Sequence, residues 1–147
     1  MDSSNITSAY ILQLDDFSNT NLRIPLSKFK NLNKYDNLLI IQTVIENSIK
    51  LTIYPINKKN IIKVSLFGLK LSKKILKEIT KLLQKFQVIH TSGFLKIKGH
   101  IYYECYLDLS LSDKKSGSLR TSLDKINSIF KEINIEEIKL NNHKGLE

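Results

Sequence analysis

The segment IIKVSLFGLKLSKKILKEITKLL, residues 61–83, decides the fold of this chain. Its first seven residues are rich in β-branched and apolar side chains, which favours a strand, and Gly68 follows where a sharp turn into a helix falls. Ser72 stands at the position of a helix N-cap. The apolar residues around and after it recur at helical spacing, and they are Leu71, Ile75, Leu76, Ile79, Leu82, Leu83 and Phe86. The segment therefore predicts a strand followed by an amphipathic helix whose other face carries lysines.

The residues after this helix predict a β-hairpin. The stretch QVIHTSGFLKIKGH, residues 87–100, is typical of a strand with a bulge near Gly93. The next strand alternates strictly, with one face formed by Ile101, Tyr103, Cys105, Leu107 and Leu109 and the other by Tyr102, Glu104, Tyr106 and Asp108. Because the first stretch ends in Gly99 and His100, we expect a short turn there into the next strand.

A second amphipathic helix and a last strand complete the pattern. A polar loop is predicted at residues 114–117, and helical spacing then relates Leu119, Leu123, Ile126, Ile129, Phe130 and Ile133. The stretch NIEEIKL, residues 134–140, predicts the last strand. From Ile61 to Leu140 the order is strand, helix, strand, strand, helix, strand, which is the order of a ferredoxin-like fold. We therefore predict a two-layer sandwich with both helices on one sheet face and the other face open.

The N-terminal part predicts a separate, smaller β unit. Residues 9–16, AYILQLDD, alternate like a strand, and residues 38–45 and 49–56, LLIIQTVI and IKLTIYPI, form an apolar hairpin pattern. A unit of this size buries such a hairpin poorly by itself, so the hairpin requires a partner surface. We thus predict an α+β protein divided into residues 1–57 and 58–147, and a homodimer or higher homo-oligomer formed through the first part.

The first part resembles a known class of regulator. The residues that carry the resemblance are Asp15, Phe17, Arg23, Ile24, Pro25, Tyr35, Asp36, Ile53, Tyr54 and Pro55. In order and spacing, residues 7–57 resemble the swapped-hairpin domain of AbrB and SpoVT type regulators. The resemblance implies an intertwined homodimer that binds DNA, with phosphates contacted by Arg23, Lys28 and Lys30.

The second part looks like an ACT domain, a small-molecule-sensing form of the ferredoxin-like fold. Residues 64–83, VSLFGLKLSKKILKEITKLL, carry this resemblance, which implies an amino acid effector at the turn after the first strand. Gly68 would let the backbone approach the ligand, the helix N-terminus near Ser72 would offer N–H groups to a carboxylate, and Leu69 and Lys70 would line the site. A simple tight turn is the alternative interpretation.

Charge is distributed unevenly along the chain. It carries 23 Lys and Arg against 14 Asp and Glu, a formal net charge of +9. Residues 1–57 contain five basic and five acidic residues, so the whole surplus belongs to residues 58–147. A basic surplus suggests a polyanionic partner such as nucleic acid. The 21 lysines and two arginines are also what an AT-rich coding sequence gives, and arginine is the better reader of phosphates and bases.

Catalytic and metal-binding patterns do not emerge from the sequence. Cys105 is the single cysteine, and its strand parity predicts a small core residue. His90, His100 and His143 are spaced too widely for a compact metal site. We therefore predict a protein that is not an enzyme and that has no cofactor. No apolar run approaches the roughly 18 residues of a membrane helix, and the N-terminus lacks a basic stretch before an apolar one, so a cytoplasmic location without a membrane partner is expected.

The predicted open sheet face carries Tyr102 and Tyr106, together with two carboxylates. One interpretation is a subunit interface, because tyrosine is large, apolar over most of its surface and favoured at interfaces. The other is RNA binding, since Lys98, Gly99 and Tyr102 resemble the third strand of RNA-recognition domains, whose exposed aromatics stack bases. In the first strand, Ser65 occupies the place expected for a second aromatic. The interface interpretation is favoured.

These patterns lead to one functional hypothesis and its alternatives. The first is a DNA-binding transcriptional regulator in which an ACT-like domain senses a small molecule, with allosteric coupling between the two parts. The alternative is a non-enzymatic, dimeric ligand sensor or protein-interaction module without DNA binding, which the zero net charge of residues 1–57 favours. RNA binding through the open sheet face is a third class.

Overall fold

The chain folds into two compact units. The computed structural model describes residues 6–17, 28–68 and 72–140. One unit comprises Met1–Asn60 with Ile138–Glu147, and the other comprises Ile61–Glu137. The C-terminal residues thus group with the first unit, whereas the sequence placed them in the second. The physical reason lies at Leu140, whose backbone N–H donates to the Lys59 carbonyl at 2.7 Å and which forms a parallel bridge with Ile11.

The first unit contains a three-stranded antiparallel sheet in the order β1-β2-β3. Its elements are β1 (Thr7–Gln13), α1 (Leu14–Phe17), a short 3-10 helix (Leu32–Lys34), β2 (Asn37–Ile45) and β3 (Ser48–Ile56). The predicted hairpin is present, with Val44 opposite Ile49. A small core forms from the buried Leu12, Leu38 and Ile40 and the adjoining Tyr10, Leu14, Leu32 and Ile53. The strand predicted for residues 9–16 ends at Gln13, because the chain enters a helical turn there.

The free end of this hairpin leaves apolar side chains in solvent. We refer to Val44, Ile45, Ile49 and Leu51 as the hairpin tip, and all four are exposed. Val44 and Ile49 are 70% and 62% exposed although both are β-branched and apolar. Val44, Ile49 and Leu51 share a sheet face with the buried Ile40, so the apolar surface continues outward from the small core.

The second unit is an α+β sandwich with an antiparallel sheet. Its elements are β4 (Asn60–Gly68), α2 (Lys73–Gln84), β5 (Val88–Thr91), β6 (Leu95–Ile97), β7 (His100–Leu107), α3 (Lys115–Asp124) and β8 (Phe130–Lys139). The strand order is β5-β7-β4-β8, and β6 also pairs with β7. These elements confirm the predicted α+β class, with antiparallel pairing and two helices.

Both helices pack on the same face of this sheet. The buried core consists of Ile62, Val64, Leu66, Ile79, Leu82, Phe86, Tyr103, Cys105, Leu107, Leu109, Leu119, Leu123, Ile126 and Phe130. The strand parity predicted for residues 103–109 is therefore correct. Ser72 caps α2 as predicted, because its hydroxyl oxygen accepts a hydrogen bond from the Ile75 N–H at 3.2 Å.

Several predicted elements of this unit have different bounds. The polar loop predicted at residues 114–117 lies mostly within α3, and the last strand begins at Phe130 instead of residue 134. The strand expected over residues 87–100 is split into β5 and β6, because Gly93 adopts a left-handed backbone (φ 71°) that interrupts the ladder. The second helix ends at Asp124 instead of continuing through Ile133. The N–H groups of Ile126 and Ile129 bond three residues back, which tightens the chain into turns before Phe130 enters β8. The apolar residues beyond Asp124 therefore continue the core without continuing the helix.

The sheet face opposite the helices is not open along its whole length, which corrects the sequence prediction. Lys63, Glu104 and Tyr106 lie on this face by strand parity, and they are only 1%, 3% and 0% exposed. Tyr102, nearer the other end of β7, is partly exposed. Of the two tyrosines predicted for a subunit interface, Tyr102 is the one with accessible surface in this chain.

Candidate nucleic-acid interface

The exposed side of α2 carries five lysines in one arc. They are Lys73, Lys74, Lys77, Lys81 and Lys85, and all five are exposed; we call them the lysine face. At 3.6 residues per turn they fall within about 120° of the helix circumference. The Ser72 cap sets where the helix begins, and burial of Ile79 and Leu82 fixes its rotation on the sheet. The lysine face therefore points away from the core as a consequence of helix periodicity.

The second helix, which packs on the same sheet face, also carries exposed basic residues. Lys114, Lys115, Arg120 and Lys125 are exposed on and beside α3, and with the lysine face they form what we call the basic helix layer. The same segment contains two aspartates, Asp113 and Asp124. A carboxylate oxygen of Asp113 accepts a hydrogen bond from the Ser110 N–H at 2.9 Å. Its charge is thereby engaged in holding the loop that leads into α3.

The basic helix layer accounts for the net charge of the second unit. Ile61–Glu137 contains 14 basic and 8 acidic residues, a net charge of +6. Residues 72–86 contain five lysines and one glutamate, a net charge of +4. Residues 113–125 contain four basic residues and two aspartates, a net charge of +2. The rest of the unit is balanced, with five basic and five acidic residues. Clustered cations of this kind attract phosphate groups more strongly than scattered ones.

The DNA contacts predicted in the first unit are described only in part. Lys28 and Lys30 are exposed next to the 3-10 helix, and Lys34 at its end is exposed as well. Arg23 lies outside the described residues. A DNA-binding surface formed by the three predicted residues therefore stays a prediction.

The predicted effector turn shows a packing role for its glycine. A Cβ atom on Gly68 would lie 2.9 Å from Cδ1 and 3.3 Å from Cε1 of Phe130. Both distances are shorter than a normal contact between carbon atoms. Phe130 belongs to the core, so the missing side chain makes room for its ring. The Ser72 hydroxyl is engaged in capping α2. Leu69 and Lys70 lie outside the described residues, and amino acid binding at this turn stays a prediction.

A buried ion pair neutralises one carboxylate on the sheet face opposite the helices. Lys63 Nζ lies 3.4 Å from Glu104 Oε1, and both side chains are almost completely buried. The Lys63 ammonium is also 5.9 Å from the centre of the Tyr106 ring, which the His90 ring approaches to 6.0 Å edge-on. Removal of either charge would leave the other buried without this ion pair, which is costly. Glu104 thus contributes no exposed negative charge to this face.

The other end of the same face holds a cluster of aromatic rings. Phe67 is paired in register with Tyr102, and their ring centres are 4.8 Å apart. The His100 ring is 5.1 Å from Phe67, and we call these three side chains the aromatic platform. Lys131 Nζ lies 5.5 Å from the Phe67 ring centre. The sequence interpretation placed Ser65 where a second aromatic was expected and missed Phe67, although strict alternation along β4 places Ser65 and Phe67 on the same face.

The described part of the chain bears on the sequence expectations for Cys105 and for metal-ligand residues. Within residues 6–17, 28–68 and 72–140, no group of three or more His, Cys, Asp and Glu side chains is placed to hold a metal ion. Burial raises the pKa of the Cys105 thiol from 9.0 to about 12, so it stays protonated at neutral pH. The predicted core role of Cys105 agrees with its complete burial. None of the described helices has the length and apolar character needed to cross a membrane.

Comparison with known proteins adds a distant structural similarity. No protein-family model and no curated protein matches the chain. Among solved structures, the chain is similar to a formyltetrahydrofolate deformylase from Pseudomonas putida KT2440, with 10% identity, a TM-score of 0.39 and coverage of 56% of this chain and 29% of that one. The matched region is thus less than a third of the enzyme chain. The class that fold and surface define is an α+β protein with a basic helix layer.

Proposed function

We propose that this protein is a dimeric, non-enzymatic regulator that binds nucleic acid through the basic helix layer. The observation that carries the proposal is the location of charge: the net charge of +6 in the second unit equals the surplus of residues 72–86 and 113–125. Because all five lysines of the lysine face are exposed on one arc, they can meet successive phosphates of a nucleic acid backbone.

The residue types on this layer favour phosphate contact over base reading. Eight of its nine basic residues are lysines, and Arg120 is the exception. Lysine acts as a hydrated point charge, whereas arginine supplies the bidentate geometry that reads guanine. We therefore infer that this surface supplies affinity and salt dependence and contributes little sequence selectivity.

The two resemblances supply the finer part of the proposal. A ferredoxin-like second unit of ACT type and an AbrB-like first unit would make the protein a DNA-binding transcriptional regulator. The AbrB resemblance implies DNA contacts at Arg23, Lys28 and Lys30. The zero net charge of residues 1–57 favours the lysine face as the stronger phosphate contact instead.

A charge-matched pair of variants tests the proposal. One variant combines Lys73→Gln, Lys77→Gln and Lys81→Gln, and the control combines Lys28→Gln, Lys30→Gln and Lys34→Gln. Both remove three exposed lysines, so non-specific effects of total charge are equal. Binding to a fluorescein-labelled duplex of about 25 base pairs is measured by anisotropy at several salt concentrations.

The expected result is a loss of affinity in the α2 variant, together with a salt slope shallower by about 2 to 3 because three phosphate contacts are lost. The control should keep most of its affinity and slope. An equal or larger loss in the control would move the site to the first unit and overturn the assignment to α2.

A second candidate function is a protein-interaction module without nucleic acid binding. The exposed hairpin tip favours it, since contiguous exposed apolar residues mark association surfaces. Absence of any salt-dependent binding to duplex or single-stranded nucleic acid, together with self-association through the hairpin tip, would support this candidate in place of the first.

A further inference from the structure

We propose that the aromatic platform of Phe67, His100 and Tyr102 is a stacking site for unpaired bases of single-stranded nucleic acid. It lies on the sheet face opposite the helices, so it is distinct from the basic helix layer. The inference goes beyond the proposed function, because phosphate contact by α2 does not distinguish paired from unpaired strands.

Geometry is the first support for this site. Phe67 and Tyr102 lie on adjacent strands with ring centres 4.8 Å apart and planes inclined by 45°, and His100 lies 5.1 Å from Phe67 at 49°. All three side chains are partly exposed. Partly exposed rings on neighbouring strands of a sheet offer flat apolar surfaces to bases, which have a π face whatever their identity.

The lysines beside these rings favour a polyanionic ligand, and the rings themselves favour one that contains flat bases. Lys131 Nζ lies 5.5 Å from the Phe67 ring centre, and Lys96 and Lys98 are exposed in the adjoining hairpin of β6 and β7. The carboxylate two residues from Tyr102 on the same face is Glu104, which is buried and paired with Lys63 at 3.4 Å. Cations beside the rings can contact the phosphates that flank a stacked base. A purely apolar partner would make no favourable electrostatic interaction with these cations.

His100 adds an independent observation. Its Nδ1 atom is buried and has no hydrogen-bond partner among the described residues. A buried polar atom without a partner destabilises the fold, so such atoms are uncommon and call for an explanation. A base edge has both donors and acceptors, and its binding beside Phe67 would supply the missing partner after a small movement of the imidazole ring.

The test uses the full chain and two labelled probes, an oligouridine of about ten nucleotides and an RNA duplex of matched phosphate number. The variant combines Phe67→Leu and Tyr102→Leu, which removes the rings and keeps apolar bulk. The matched control is Phe94→Leu, because Phe94 stacks on Tyr103 at 4.6 Å and packs against the core on the helix side. Thermal unfolding verifies that both variants are folded.

The double variant should bind the oligouridine at least about tenfold more weakly, and the duplex as the unmodified chain does, whereas the control should bind both normally. A second reporter is Tyr102→Trp, since the chain has no other tryptophan. Its fluorescence should be quenched when the oligouridine is added. This variant keeps an aromatic ring, so it should also keep single-strand binding.

Two outcomes would overturn the inference. The first is unchanged oligouridine affinity in the double variant; if the oligomeric mass changes at the same time, the platform is assigned to a protein interface. The second is an equal loss for duplex and single strand, which indicates a general electrostatic or folding effect. The α2 variant affects duplex binding separately, so failure of the proposed function and failure of this inference are distinguishable.

Discussion

At Gly68, the absence of a side chain is a packing requirement. A Cβ atom there would lie 2.9 Å from Phe130 Cδ1, and the ring belongs to the buried core. We predict that Gly68→Ala lowers the free energy of unfolding by about 1 to 3 kcal/mol, because the ring must leave its preferred position. Urea unfolding followed by circular dichroism measures the change.

The matched control is Gly117→Ala on α3. No atom lies within 4 Å of a Cβ built there, so only helix propensity changes, and stability should stay the same or rise by up to about 1 kcal/mol. If Gly68→Ala were as harmless as Gly117→Ala, the packing explanation for Gly68 would be wrong. The amino acid site predicted at this turn would then regain its main support.

Cys105 provides a prediction for alkaline pH. Burial raises its pKa in the folded chain to about 12 from 9.0, so the unfolded chain loses the thiol proton first as pH rises. Its contribution to stability is therefore constant below about pH 9, and above that value stability falls by about 1.4 kcal/mol per pH unit.

Cys105→Ala should remove most of this alkaline decline, although the variant is less stable at neutral pH because it leaves a cavity. Some decline remains because burial also raises the pKa of Tyr103. Urea unfolding at several pH values between 8 and about 11 gives the two slopes. Identical slopes for the two proteins would show that Cys105 does not ionise on unfolding in this range.

At the level of elements, the hairpin of β2 and β3 is the part of the first unit that calls for a partner. Val44 and Ile49 are opposite each other and largely exposed, and β3 has one neighbour among the described strands. A strand edge beside exposed apolar residues favours association of two copies. We predict that the protein is a homodimer at micromolar concentration and that Val44→Thr with Ile49→Thr shifts it toward the monomer.

Threonine keeps the β-branched shape at both positions, so the strands themselves should remain. The control is Val88→Thr in β5 of the second unit, a partly exposed valine in a strand. Light scattering should give a dimer mass for the control and a lower mass for the hairpin variant at the same concentration. A monomeric unmodified chain would remove both the dimer and the swapped-hairpin interpretation.

The elements that were predicted well combine several local signals. For α2, the Ser72 cap, the apolar arc and the lysine arc all indicate the same helix, which fixes its start and its buried face. For the second helix, apolar spacing alone extended the prediction past Asp124. Residues such as Ile126 and Phe130 are buried for the same core, but the chain reaches it through turns and a strand.

Parity along a strand predicts which face a residue occupies and leaves its accessibility undetermined. It placed Tyr102 and Tyr106 correctly on one face, yet Tyr106 is fully buried and Tyr102 is not. Burial depends on tertiary packing, which alternation does not encode. Alternation also does not predict the ion pair of Lys63 and Glu104, because side-chain pairing across β4 and β7 depends on strand register.

For the molecule as a whole, charge separates the two units more clearly than sequence motifs do. The hairpin between residues 37 and 56 carries one glutamate and one lysine, whereas the basic helix layer carries nine basic residues. An apolar surface without net charge suits self-association, and a cationic surface suits a polyanion. We therefore assign association to the first unit and phosphate contact to the second.

The most direct test of nucleic acid binding by the basic helix layer is the salt dependence of the unmodified chain. Its association constant for a DNA duplex of about 25 base pairs is measured by anisotropy over a range of potassium chloride concentrations. If the five lysines of the lysine face meet phosphates, log K should fall against log salt with a slope of about −3 to −5. A slope weaker than about −1, or no measurable binding at low salt, would contradict this function.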